Sequence, residues 1–303
     1  MKNDTCVLAI DAGGTFFKSS MLRNDGRIIE ESQKKVPVDS HGSREEILMA
    51  YEEIVNKSFA YANENQYEIA GVGVSTPGPF DYENNMSFMK HKFESIYGID
   101  LNKELKGRCK CLELLPIRFL HDAHAFLLGE YWNGAAKGFS NVAAAVIGTG
   151  IGFGIIKNGK LLKNDLGGPY ISIYGKPWGE GILEDVVSRR GIINLYKQFS
   201  AGNCPNDIDV IDIAISAIND QDPNGLRAFG QVGRVLALGI RDVLKEHEIE
   251  CLVFGGQISK SFSLMETELN DNLSDVGSLK KIVMGQNIQY STQIGAGSMI
   301  FNR

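Results

Sequence analysis

The sequence predicts an α/β protein of two similar domains, each opening on a β-hairpin and built on a mixed sheet. Two observations predict it. A glycine-rich turn between apolar runs occurs twice: Asp11-Ala12-Gly13-Gly14-Thr15 lies between residues 7–10 and 16–22, and Gly148-Thr149-Gly150-Ile151-Gly152 between 142–147 and 153–156. After each hairpin, strand-length apolar runs alternate with helical patterns, the signature of helices packed on sheets. A chain of 303 residues is long enough for two such domains.

Residues 5–36 read as three strands, with Asn24-Asp25-Gly26 as a turn. Residues 44–63 read as an amphipathic helix, with Ile47, Leu48, Tyr51, Ile54, Val55 and Phe59 at helical spacing. A short buried strand at 70–75 runs into the loop Thr76-Pro77-Gly78-Pro79. Another strand ends at 118–120, and 122–135 is helical with Ala125, Leu128, Gly129 and Trp132 on one side. The second glycine hairpin occupies 141–157, and 165–181 is glycine-rich and unpatterned. Helices follow at 182–199, 208–218 and 225–246, then a strand at 251–254 leading into Gly255-Gly256. A helix at 261–272, a late strand at Ile282-Val283 and a helix at 295–301 complete the chain. The expected N-terminal domain is 1–120, joined by the closing helix at about 290–303, and the C-terminal domain is 121–289.

Net charge is −6, which argues against a general nucleic-acid or membrane-surface binder. No apolar run approaches the ~20 residues that span a bilayer, and a cytoplasmic location is expected. The five cysteines, an odd number, fit a reducing compartment. Cys109-Lys110-Cys111 lacks the partners of a metal site and reads as ordinary thiols.

The glycine turns carry the chemistry. Backbone N–H groups can hold a phosphate only where the chain comes close, and glycine permits both the approach and positive φ angles. Thr15 and Thr149 add hydroxyl donors, and Asp11, at a strand end, could hold Mg²⁺. One such turn would read as a plain hairpin. Two, the first with an acid, point to a nucleotide-dependent phosphotransferase, although neither is a Walker loop or a dinucleotide fingerprint. Asp11, Thr76, His121, Thr149 and Gly255 all follow strand ends, where α/β sheets bind ligands, and are expected to converge on one cleft. Asp122 suits either a helix N-cap or the base that takes a proton from an attacking sugar hydroxyl; the two hairpins favour the base. His124, one turn further along, either packs behind Asp122 or contacts substrate.

These residues together resemble the ROK family of sugar kinases and repressors. The resemblance is carried by the two glycine turns, Ser75-Thr76-Pro77-Gly78-Pro79, His121-Asp122-Ala123-His124-Ala125 with Leu128-Gly129-Glu130, and Phe254-Gly255-Gly256. It implies the actin-like fold, two ribonuclease-H-like domains around a central cleft. It also implies ATP-dependent phosphorylation of a hexose or N-acetylated hexosamine with Asp122 as base, and a homodimer. The nucleotide would meet Gly13, Gly14, Thr15, Gly148, Thr149, Gly150, Gly255 and Gly256; the sugar Gly78, His121, Asp122 and Glu184; Mg²⁺ Asp11.

Three departures stand out. His121 occupies the place of a sugar-binding Asn. Pro169 and Ser172 replace the Glu and His of the family's Glu-x-x-His segment, and the zinc motif's cysteines give way to Gly175, Pro177 and Ile182, with its last glutamate kept as Glu184. No zinc is expected, and a sugar other than glucose. The first strand starts near residue 5, which leaves no room for a repressor's winged helix, so DNA binding is not expected. The competing readings are a non-catalytic sugar or sugar-phosphate sensor, and a kinase for a non-sugar acceptor, which the Asp122 junction disfavours.

Overall fold

The structure, a computed structural model, describes residues 4–301. The chain divides into two compact units. The first contains the chain up to Lys137, the segment Leu161–Tyr170 and the chain from Asn287 on; the second contains Gly138–Lys160 and Ile171–Gln286.

In the first unit the strands are β1 (Asp4–Ala12), β2 (Phe16–Leu22), β3 (Ile28–Pro37), β4 (Tyr67–Thr76), the short pair β5 (Phe80–Asp81) and β6 (Met86–Ser87), and β7 (Ile117–His121). The main sheet has the order β3-β2-β1-β4-β7. Its hairpin strands are antiparallel, and β4 and β7 add in parallel. The helices are α1 (Arg44–Glu64), α2 (Leu101–Arg108), α3 (Asp122–Asn133) and, from the end of the chain, α9 (Ser291–Phe301).

Side-chain alternation along β1 explains the layering. Leu8, Ile10 and Ala12 join Ile47, Tyr51 and Ile54 of α1 in one core, while Ala9 packs with Ile294 of α9 in another. A strand buried on both faces must be apolar throughout, as residues 6–10 are. A capping box starts α1: Ser43 Oγ accepts from the Glu46 N–H at 3.3 Å, and the Glu46 carboxylate accepts from the Ser43 N–H at 2.7 Å.

The second unit repeats the scheme. Its strands are β8 (Val142–Ile147), β9 (Ile151–Lys157), β10 (Lys160–Leu161), the small hairpin β11 (Pro177–Trp178) and β12 (Gly181–Ile182), β13 (Cys251–Gly255) and β14 (Lys281–Met284). Its sheet order is β10-β9-β8-β13-β14, again an antiparallel hairpin followed by parallel additions. Its helices are α4 (Leu183–Val186), α5 (Arg189–Phe199), α6 (Val210–Asn219), α7 (Pro223–Glu246) and α8 (Glu266–Leu273).

Besides the short strands β5, β6, β10, β11 and β12, which the pattern did not show, three helical elements differ from the sequence reading. The helix expected over 182–199 breaks at Val187, where Ser188 caps α5 by accepting from the Gly191 N–H at 3.2 Å. The helix expected at 261–272 is a 3₁₀ stretch over Gln257–Leu264, kinked at Ser261, followed by α8. The periodicity missed α2, although Asp100 caps it from the Lys103 N–H at 3.0 Å and Leu101 and Leu105 face inward.

Helices α3 and α9 approach so closely that a Cβ on Gly295 would fall on the Ala125 carbonyl oxygen. Backbone cannot yield there as a flexible side chain would. Gly295→Ala should therefore lower stability by about 2 kcal/mol or more. Urea unfolding that gives wild-type stability would refute this close approach.

Candidate active site

Three parallel strands bring their carboxyl ends level. Asp11 lies opposite Ser75, Ser75 opposite Leu120, and Thr76 opposite His121. Contrary to the expectation that they follow strand ends, Thr76 and His121 are the last residues of β4 and β7 and Asp11 the last but one of β1, so the register sets all three within one residue of the same sheet edge. Asp122 follows as the first residue of α3.

His121, not Asp122, is the helix N-cap. Its Nδ1 lies 3.2 Å from the Ala123 N–H and 3.0 Å from Asp122 Oδ1. Asp122 Oδ1 itself accepts from the Ala123 N–H at 2.7 Å. The Asp122 side chain remains 48% exposed. Desolvation pushes its carboxyl up. The neighbouring His121, Lys92 and the Ala123 N–H outweigh that and hold it at about 2. Asp122 is therefore an ionised acceptor at a helix N-terminus, where negative charge is favoured.

Asp11 behaves oppositely. Burial first, and then the charge of Asp122, raise its carboxyl to about 6 against the pull of Lys18 and Lys92. A half-buried carboxyl short of positive charge beside a second carboxylate fits a divalent cation, which would supply the missing charge.

Gly78 comes to the same place. A Cβ there would stand 3.5 Å from His121 Cδ2 and 3.5 Å from the Tyr82 hydroxyl. Tyr82 donates to the Thr76 carbonyl at 3.1 Å and sets its ring edge-on to His121 at 6.0 Å. The segment Leu161–Tyr170 docks here: the Leu166 carbonyl accepts from the Tyr82 N–H at 2.7 Å, and Lys163 lies 3.6 Å from Glu83. Asn164 braces that loop, accepting from the N–H groups of Leu166 and Gly168 and donating to the Pro169 carbonyl. Gly78, His121 and Asp122 are thus brought together. Tyr82 and Lys92 were missed in the sequence, where neither carries a motif; the docked segment had been marked only as the place of Pro169, without its contact to Tyr82.

At the first glycine turn the carbonyls of Thr15 and Gly14 accept from the N–H groups of Val38 and Ser40, at 3.0 and 3.1 Å. Among the described residues the N–H groups of Gly13, Gly14 and Thr15 have no acceptor. This is the arrangement an anion needs. Contrary to expectation, none of the turn glycines 13, 14, 148 and 150 takes a positive φ; glycine serves there for space.

In the second unit the corresponding turn is more committed. The Gly148 N–H donates to the Gly150 carbonyl at 2.9 Å, and the Gly148 carbonyl accepts from the Arg189 N–H at 2.8 Å. The break before α5 serves that contact. Among the described residues the Thr149 and Gly150 N–H groups have no acceptor. Gly255 pairs with Val146, and Gly256, at φ 83°, passes so close that a Cβ would strike the Ile147 carbonyl. The loop 255–256 and the second turn therefore lie side by side.

Glu184 joins this second turn. Its Oε2 accepts from the Ile151 N–H at 3.0 Å and occupies the space a Gly150 side chain would need. Oε1 has no partner among the described residues. Ser172 is exposed. Among the described residues no group of three His, Cys, Asp or Glu side chains is placed to hold a metal.

The ROK family model matches residues 7–169, more than half of the chain. The chain belongs to the ROK family. It is 26% identical over 98% of its length to a glucokinase of Thermotoga maritima, of which it covers 98%. It is 26% identical over 87% of its length to an N-acetylmannosamine kinase of Escherichia fergusonii, of which it covers 88%. Among solved structures, a ROK glucokinase from Streptomyces griseus in complex with glucose and AMPPNP superposes with a TM-score of 0.78 at 20% identity, over 97% of this chain and 98% of that one. The fold of this ROK protein is accordingly the actin-like one, with the two similar α/β units expected from the paired hairpins.

Behind the ROK site, His124 is fully buried, and its Nδ1 and Nε2 have no hydrogen-bond partner among the described residues. Burial first, then the charges of His121 and Lys163, lower it to about 3. Folded His124 stays neutral where an unfolded histidine, with a pKa of about 6.5, takes a proton. The unfolded chain then binds more protons, so stability falls as pH drops from about 6.5 toward about 3, by at most ~1.4 kcal/mol per pH unit. His124→Leu should remove this slope from urea-unfolding free energies measured across that range. Parallel curves for wild type and variant would show that His124 does not titrate this way.

Proposed function

We propose that this protein, a sugar kinase of the ROK family, transfers the terminal phosphoryl group of ATP to a hydroxyl of a hexose or N-acetylated hexosamine, with Asp122 as the base. The observation that carries this reading is Asp122 itself: ionised, half exposed and aimed from a helix N-terminus beside His121 and Gly78. The free N–H groups at the two glycine turns support the phosphate sites at Gly13, Gly14, Thr15, Thr149 and Gly150, and the adjacent Gly255-Gly256 supports the nucleoside side. Gly148 would contribute shape rather than a donor, since its N–H is already bound. Asp11 would hold Mg²⁺, which when bound offsets the charge of the phosphates.

Asp122 is a weak base, held at about 2. It therefore orients the acceptor hydroxyl and receives its proton only as the new P–O bond forms, which suits a loose phosphoryl-transfer transition state. His121 can donate a hydrogen bond to a sugar hydroxyl, and so can the adjacent Tyr82 hydroxyl when it turns from the Thr76 carbonyl. General-base catalysis typically contributes about 10²–10⁴-fold. Asp122→Asn should cut kcat by about that factor and leave Mg·AMPPNP affinity nearly unchanged. An undiminished kcat would exclude Asp122 as the base.

The sugar is expected to differ from glucose. Pro169 and Ser172 stand where the resemblance to the family implies a Glu and a His, and Glu184 spends one oxygen on the Ile151 N–H. A site that lacks donors and acceptors for a hydroxyl discriminates against the sugar that presents it. Across a hexose panel, kcat/KM for glucose should fall below that for an N-acetylated or otherwise modified hexose. Glucose turnover at about 10⁴ M⁻¹s⁻¹ or higher would show that these positions do not set specificity. Tight sugar binding with no turnover of any sugar would favour the sensor reading, which the reduced set of sugar contacts supports.

A further inference from the structure

Phe93 is held in a backbone conformation that an aromatic residue rarely adopts, with φ 54° and ψ 27°. Such strain persists only where the surroundings impose it. Here they do. The ring is 1% exposed and lies 6.0 Å from Phe17 of β2, which in turn packs on Tyr51 at 4.2 Å. The Phe93 N–H donates to the Ser40 carbonyl at 2.6 Å, and the Ser40 N–H donates to the Gly14 carbonyl at 3.1 Å. Two hydrogen bonds and a buried ring thus fasten this bent segment to the flank of the first glycine turn.

The residue so positioned is Lys92. Its Cδ lies 4.0 Å from the point where a Cβ on Gly14 would stand. Its positive charge acts on both Asp11 and Asp122 and draws both carboxyls downward. The side chain is half-buried, yet among the described residues its ammonium forms no ion pair, hydrogen bond or ring contact. The neighbouring Lys90, by contrast, lies over the Tyr97 ring. Ordering and partly desolvating a lysine costs free energy that no hydrogen bond or ion pair among the described residues returns.

We propose that Lys92 is a catalytic cation that contacts the phosphoryl group during its transfer, beside the free N–H groups of Gly13, Gly14 and Thr15. The proposal rests on the kinase reading above. In the step, the bond from the terminal phosphorus to the bridging oxygen of ATP breaks and a bond to the acceptor oxygen forms. The acceptor proton passes to Asp122, and the electron pair of the broken bond leaves with ADP. Lys92 takes no part in the proton transfer. Its role follows from charge: the transferred group carries negative charge on three oxygens and must pass two carboxylates, Asp11 and Asp122. A cation whose charge acts on both carboxylates removes repulsion that would rise in the transition state. No feature of a Met-Lys-His-Lys-Phe run marks this role in the sequence.

The test uses the intact protein, with Lys92→Met and Lys92→Arg beside wild type. Turnover is followed on the best hexose, and Mg·AMPPNP and Mg·ADP affinities are measured by calorimetry. Lys92→Met should lower kcat by about 10²–10³-fold with hexose KM nearly unchanged, and should reduce the preference for AMPPNP over ADP by about tenfold. Lys92→Arg should recover part of both. Unchanged kcat and unchanged nucleotide preference in Lys92→Met would overturn the proposal while leaving the kinase reading intact. A rise in hexose KM alone would also overturn it, since Lys92 would then serve the acceptor. If wild type turns over no sugar but the AMPPNP preference still collapses in Lys92→Met, the kinase reading fails and the contact with the terminal phosphoryl stands. Failure of wild type to bind either nucleotide would overturn both.

Discussion

The candidate site depends on the parallel register of β1, β4 and β7. The strands end on Ala12, Thr76 and His121, and the pairing sets Asp11 level with Ser75 and Leu120, one residue before those ends. The alternation of side chains then decides direction. Residues of β1 with one parity enter the α1 core and those of the other parity meet α9. Asp11 emerges at the penultimate position of β1 and Asp122 just past the end of β7.

The register is held from behind by the α3–α9 contact. Glycine at 295 and 129 lets the two backbones touch. Glu130 secures the seam: its buried carboxylate accepts from the Asn287 N–H at 3.0 Å, the Ala135 N–H at 2.8 Å and the Ser291 hydroxyl. A buried acid is tolerated because its oxygens are hydrogen-bonded. Through it the last segment of the chain is fastened to the helix that begins with Asp122, so residues remote in sequence build one unit.

Electrostatics separates the two acids. Both carboxylates are desolvated, but Asp122 has a helix N-terminus and His121 beside it, while for Asp11 burial and then the charge of Asp122 outweigh the pull of Lys18 and Lys92. Similar side chains thereby acquire different roles. One is an ionised carboxylate that the proposed function uses as the base, and the other is a carboxyl raised to about 6, the one proposed to hold a cation. The separation is a property of the assembled strand ends, since neither acid has these neighbours in the extended chain.

The sequence by itself determined the class of fold, the two hairpins and the place of Asp11, Asp122 and the glycine turns. Those features are local: apolar periodicity, turn residues and an acid after a strand are each written within a few consecutive positions. It did not determine that the helix near 190 breaks so that the Arg189 N–H reaches Gly148, that Glu184 binds the second turn, or that residues 161–170 dock on Tyr82. Nor did it mark Lys92, whose position follows from Phe93, Ser40 and Gly14 acting together. Those contacts join positions tens of residues apart. Their free energy arises only when packing has already removed water and fixed the partners, so only the tertiary structure could decide them.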